Sequence, residues 1–118
     1  MNAERQYPTF DADGYPSENT LAAIRLWPYG EFGSLLRYCE DAWRDGYRFD
    51  VENGYDLMRA KIRRVTIATG GWSGNEDIVS ALQDNVPFWM TCLEKSERGG
   101  LFMFELTEDA LGEKPWTP

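Results

Sequence analysis

At 118 residues, with 42% apolar and 14% aromatic side chains, the chain has enough material for one domain with a hydrophobic core. It contains no histidine, which excludes His-based triads, imidazole bases and ordinary zinc sites, and its net charge of −8 speaks against direct binding of nucleic acid. No apolar run approaches the ~20 residues of a membrane span, and residues 1–5 lack a signal peptide's apolar core, so the chain reads as soluble and cytoplasmic.

Residues 1–15 carry Pro8, Asp11, Asp13 and Gly14 without periodicity and read as an irregular lead-in. Asp11-Ala12-Asp13-Gly14 begins like a calcium loop, but no glutamate follows at the distance that pattern needs, which leaves a turn. Ser17 is a good helix N-cap, and Leu21, Ile24 and Trp27 give a short apolar stripe that Pro28 stops. A second helix follows, with Phe32, Leu35, Leu36, Cys39, Ala42 and Trp43 on one face and Arg37, Glu40, Asp41 and Arg44 opposite. Cys39, and later Cys92, sit among apolar neighbours and read as buried reduced thiols.

The period then changes. Tyr47, Phe49 and Val51 alternate with Arg48, Asp50 and Glu52, and Asn53-Gly54 is a hairpin-turn signal, with a longer loop around 55–59 as the alternative. The returning strand runs over 61–68. A third helix has Ile78, Val79, Ala81 and Leu82 on its apolar face and ends at Asp84, Asn85 and Pro87. Strands over 88–93 and 101–106 form a last hairpin around Gly99-Gly100, and 107–118 reads as a mobile polar tail from which Trp116 can dock back. The expected fold is a single α+β domain over 1–118. Its mostly antiparallel sheet has about four strands with three helices, in the order α-α-β-β-α-β-β.

Chemistry concentrates between the returning strand and the third helix, in Thr69-Gly70-Gly71-Trp72-Ser73-Gly74-Asn75-Glu76. Ser73 and Glu76 have the spacing of a capping box, and Gly70, Gly71 and Gly74 allow positive φ or close backbone approach, so the turn has a purely architectural reading. The same amides at a helix N-terminus would also suit a small anionic or nucleotide ligand, although Glu76 and Asp77 put negative charge where a phosphate would sit. Trp72, placed in a turn, is the best candidate for a recognition residue, and Arg98 beside Gly99-Gly100 is the second. The candidate binding set is therefore Gly70, Gly71, Trp72, Ser73, Gly74, Asn75 and Arg98. Arg59, Lys61, Arg63 and Arg64 form the main basic cluster, read as a solvated strand face or as ion pairs with Asp50 and Glu52. No catalytic residues, metal ligands or cofactor are assigned, and the balance leans away from an enzyme.

The run 69–78, the Ala81-Leu82-Gln83-Asp84-Asn85 segment, the Phe88-Trp89 pair and Arg98-Gly99-Gly100-x-Phe102-x-Phe104-Glu105 resemble a family of small uncharacterised bacteriophage proteins. Tyr15-Pro16-Ser17-Glu18 with Leu21, Ile24 and Trp27 is similar to that family's first helix, and Leu101 stands where a histidine is common there. The resemblance implies a phage or prophage protein acting in the cytoplasm of an infected bacterium. The resemblance itself supplies no activity. By analogy with small phage proteins outside the virion, and from the chain's size, acidity and lack of histidine, the expected partner is a bacterial host or defence protein that it binds and inhibits, in an anti-CRISPR-like or similar role, with no membrane or nucleic-acid partner.

Overall fold

The computed structural model describes residues 5–113. In chain order these form α1 (Glu18–Leu26), α2 (Phe32–Ala42), β1 (Phe49–Tyr55), β2 (Lys61–Ala68), α3 (Ser73–Asp84), α4 (Val86–Cys92), β3 (Leu93–Glu97), β4 (Leu101–Thr107) and α5 (Glu108–Leu111). The class is α+β, with a four-stranded antiparallel sheet in the order β1-β2-β4-β3. Five helices replace the expected three among the described residues, and the element order changes accordingly.

The β2–β4 register explains where the core sits. Val65 lies opposite Phe104 and Ile67 opposite Phe102, so these side chains share one face of the sheet. The apolar stripes of α2 (Phe32, Leu35, Leu36, Cys39) and α3 (Ile78, Ala81, Leu82) close over that face. Phe88 joins the layers, edge-on to Phe32 at 5.2 Å between centroids and tilted against Phe104 at 5.0 Å. Cys39 and Cys92 are both free and buried here; burial pushes the Cys39 thiol far up and that of Cys92 up to about 12.

Three expected elements are corrected. Asn53-Gly54 does not turn the chain but lies inside β1, opposite Arg63 and Ile62. The reversal comes later because Asp56 organises it: its carboxylate accepts from the amides of Met58 (2.8 Å) and Ala60 (2.9 Å), and Arg59 takes the left-handed φ of 64°. Residues 86–92 are helical rather than extended. Asn85 caps this helix by accepting from the Phe88 amide at 3.2 Å, and Pro87 lies in its first turn, where a missing N–H costs nothing. A signal read as an end is in fact the next start.

The third correction concerns the tail. Thr107 accepts from the Ala110 amide at 3.3 Å and starts α5, which buries Ala110 and Leu111, while residues 114–118, with the docking suggested for Trp116, lie outside the described residues. Glu113 then meets two arginines, Arg63 at 2.7 Å and Arg37 at 3.1 Å. Partial burial raises its carboxyl pKa, but the bonds from Arg63 and Arg37 outweigh it and hold the group below its ordinary value. A depressed pKa stabilises the fold above the unfolded value and is lost as pH falls through the folded one. Glu113→Gln is therefore expected to cost about 1 kcal/mol at pH 7, discounted for exposure, and progressively less on acidifying below about 4.5. Urea unfolding of both chains at pH 7 and pH 3 checks this, and an unchanged difference would contradict it.

Two buried asparagines hold the joints between elements. Asn85 donates from Nδ2 to the carbonyls of Ile24 (2.9 Å) and Trp27 (3.1 Å) at the end of α1 while capping α4. Asn75, fully buried at the start of α3, donates to the Thr69 carbonyl (3.2 Å) and accepts from the Arg44 amide (3.1 Å) just beyond α2. Their amides reach both donors and acceptors, which no apolar residue can do.

Candidate functional site

The glycine-rich turn begins where β2 ends. The Thr69 amide donates to the Gly100 carbonyl at 3.1 Å, so this turn lies against the Arg98-Gly99-Gly100 turn of the other hairpin. Thr69 then consumes the next amides: its hydroxyl accepts from Gly71 (3.3 Å) and its carbonyl from Trp72 (3.2 Å). The glycines have architectural reasons. At Gly70, with φ of 64°, a Cβ would lie 2.0 Å from the Tyr47 ring, and at Gly74 it would lie 2.3 Å from the Trp72 ring.

The capping box is not formed. The N-cap is Trp72, with no side-chain cap, and Ser73 is already the first helical residue, so the Ser73/Glu76 spacing is out by one position. Asn75 and Thr69 make the turn rigid instead.

This rigidity aims Trp72. Its ring stacks on Tyr15 of the lead-in, with centroids 5.3 Å apart and planes 14° from parallel, and the Arg44 guanidinium lies 4.9 Å from its centroid. The ring is half-buried and lines a cleft of about 390 Å³ between the lead-in, the end of α2 and the start of α3. Phe10, Tyr15, Trp43 and Trp72 supply aromatic walls, and Asp13, Asp41 and Asp45 supply carboxylates. Arg5 pairs with Asp41 at 2.7 Å, whereas Asp13 and Asp45 have no cationic partner among the described residues. Trp43 lines the same cleft, and its buried Nε1–H has no acceptor among the described residues.

Of the candidate binding set, Trp72 alone lines the cleft, and Asn75 supports it from below. Gly70, Gly71, Ser73 and Gly74 shape the turn. Arg98 is exposed at the β3–β4 turn and stands outside the cleft, with no ion pair among the described residues. The basic cluster is dispersed rather than paired with Asp50 and Glu52: Arg63 turns to Glu113, Arg64 to Glu105 at 3.5 Å, and Asp50 is taken by Arg48 at 2.6 Å. Among the described residues no group of His, Cys, Asp and Glu is placed to hold a metal ion.

Sequence reasoning passed over Tyr15, Asp13, Arg44 and Asp45. The signal available for them was an aromatic residue beside Pro16 and an Arg-Asp pair just past a helix end. Compared with known families, with characterised proteins and with solved structures, the chain finds no match. No helix among the described residues is long and apolar enough to cross a membrane.

Proposed function

We propose that the chain is a non-enzymatic binding protein that holds a basic segment of a protein partner in the cleft beside Trp72. One observation carries this reading: aromatic walls and two carboxylates without cationic partners converge on the same concavity, whose own cation, Arg44, is engaged with the Trp72 ring. Aromatic faces attract cations through their quadrupoles, and carboxylates take guanidinium or ammonium groups by charge-assisted hydrogen bonds. An anionic ligand at the glycine turn fits less well, because Thr69 occupies the amides of Gly71 and Trp72 and the nearby cleft is acidic.

In its finer form the proposal is a phage accessory protein that binds and inhibits a bacterial host or defence protein, anti-CRISPR-like or similar, in the cytoplasm of the infected cell. Support for this comes from the resemblance at 69–78 and 98–105 and from the −8 charge, which would steer the chain toward a basic partner.

Capture from a bacterial lysate tests both forms. The unaltered chain is expected to retain a basic protein. Asp13→Asn with Asp45→Asn is expected to keep the melting temperature and slow association about tenfold at low salt, with less effect at high salt. Equal binding by this double variant would remove the cleft from the reading. Recovery of no partner, together with unchanged phage infection after deletion of the gene, would remove the inhibitor.

A further inference from the structure

A second surface lies along the free edge of the sheet. β1 ends the strand order, and among the described residues it pairs with β2 alone. The Ala68 amide donates to the Arg48 carbonyl at 3.0 Å, and the Asp56 amide to the Ala60 carbonyl at 3.0 Å, both in the register that sets Asp50 opposite Thr66. Bonded pairs alternate along an antiparallel ladder, so Asp50, Glu52 and Gly54 turn their backbone groups toward β2. Phe49, Val51 and Asn53 therefore turn theirs outward, whereas the Tyr55 carbonyl at the strand's end accepts from the Arg64 guanidinium at 3.3 Å. Residues 49–53, without proline, form an edge that a further strand can extend.

The side chains along this edge differ by face. Val51 shares the helix-covered face with Val65 and borders a slot of about 240 Å³ whose floor includes Leu36 and whose rim holds Arg37 and Glu40. Asp50 and Glu52 lie on the opposite face; Asp50 is already paired with Arg48 at 2.6 Å, whereas Glu52 has no cationic partner among the described residues, because Arg64 across from it pairs with Glu105.

We propose that the outer edge of β1 receives an extended segment of a protein partner by strand addition, with an apolar residue over the Val51 slot and a basic residue beside Glu52. A residue bonded opposite Val51 would stand ~5.5 Å away between Cα atoms and place its side chain on the slot face. Its neighbours would fall beside the two acids, where like charge is unfavourable and opposite charge stabilises. The same rule selects against self-pairing about Val51, which sets Asp50 of one copy against Glu52 of the other. Main-chain bonding with pockets for alternate side chains is an established recognition mode, and it uses neither Trp72 nor the cleft acids.

The test titrates the full, isotope-labelled chain with an end-blocked peptide of alternating lysine and valine. Saturable binding is expected, with amide exchange slowed at least tenfold at Phe49, Val51 and Asn53. A glutamate–valine peptide should bind at least tenfold more weakly. Methylating the valine nitrogens, which face β1, should abolish binding, whereas methylating the lysine nitrogens should leave it. Absence of saturable binding, or equal loss from either methylation, overturns the proposal. Protection of the same three amides before peptide is added also overturns it, because the edge is then already covered by the chain itself or by a second copy. Asp13→Asn with Asp45→Asn should leave the titration unchanged, which separates this edge from the cleft.

Discussion

Asn85→Ala is expected to destabilise the protein by about 3–4 kcal/mol. The side chain is buried and makes three bonds, two to the carbonyls of Ile24 and Trp27 and one from the Phe88 amide. Alanine removes all three bonds at once; the Ile24 carbonyl keeps the Trp27 amide at 3.3 Å, whereas the Trp27 carbonyl and the Phe88 amide lose the partner that Asn85 supplies. Each buried backbone group left unsatisfied costs about 1–3 kcal/mol, and loss of the cap alone about 1, so the sum is held down only by local relaxation. Urea unfolding should show a lower midpoint with an unchanged slope. Asn85→Asp distinguishes the joint from a simple cap, because it keeps the acceptor for Phe88 but sets a carboxylate against two carbonyls. A neutral Asp variant would show that capping alone matters.

Gly112→Ala is the second large effect, at about 3 kcal/mol. Gly112 ends α5 with φ of 73°, and a Cβ there would lie 1.9 Å from the Gly30 carbonyl oxygen. The obstacle is backbone, so a rotamer change cannot relieve it. The left-handed conformation contributes about 1 kcal/mol and overpacking the rest. Gly46→Ala is the control, since its φ is 91° but nothing stands within 4 Å of an added Cβ. It should cost only the backbone share, about 1 kcal/mol. Equal losses in the two variants would mean that α5 is not seated on the loop at Gly30.

The fold was legible where one period ran unbroken. Phe32, Leu35, Leu36, Cys39 and Ala42 announce α2, and all are buried. The 61–68 strand is extended as expected, although its burial alternates only from Val65 to Ile67 and the buried Ile62 breaks the period. Where signals compete, local reading fails for physical reasons. Asn53-Gly54 favours a tight turn, but the Asp56 clamp closes the hairpin further on. The apolar run after Asn85 is too short for periodicity to separate helix from strand, and its aromatics favour a strand. Tertiary burial of Phe88 and Cys92 on one side of a capped turn decides for the helix. The cleft shows the sharper limit. Trp72 stood out by its place between glycines, yet Tyr15 and Arg44 reach it from distant parts of the chain, and no spacing rule connects them.

The two cysteines give this architecture a built-in clock. Cys39 lies on the buried face of α2 and Cys92 at the end of α4, and burial holds both as protonated thiols. Only thiolate attacks an alkylating or disulfide reagent, so modification waits for each helix to leave the core. With reagent in excess and opening fast, the rate of thiol capture reads the opening equilibrium of each helix without any added label. The chain's stability thus becomes measurable, element by element, through chemistry that its folded state withholds.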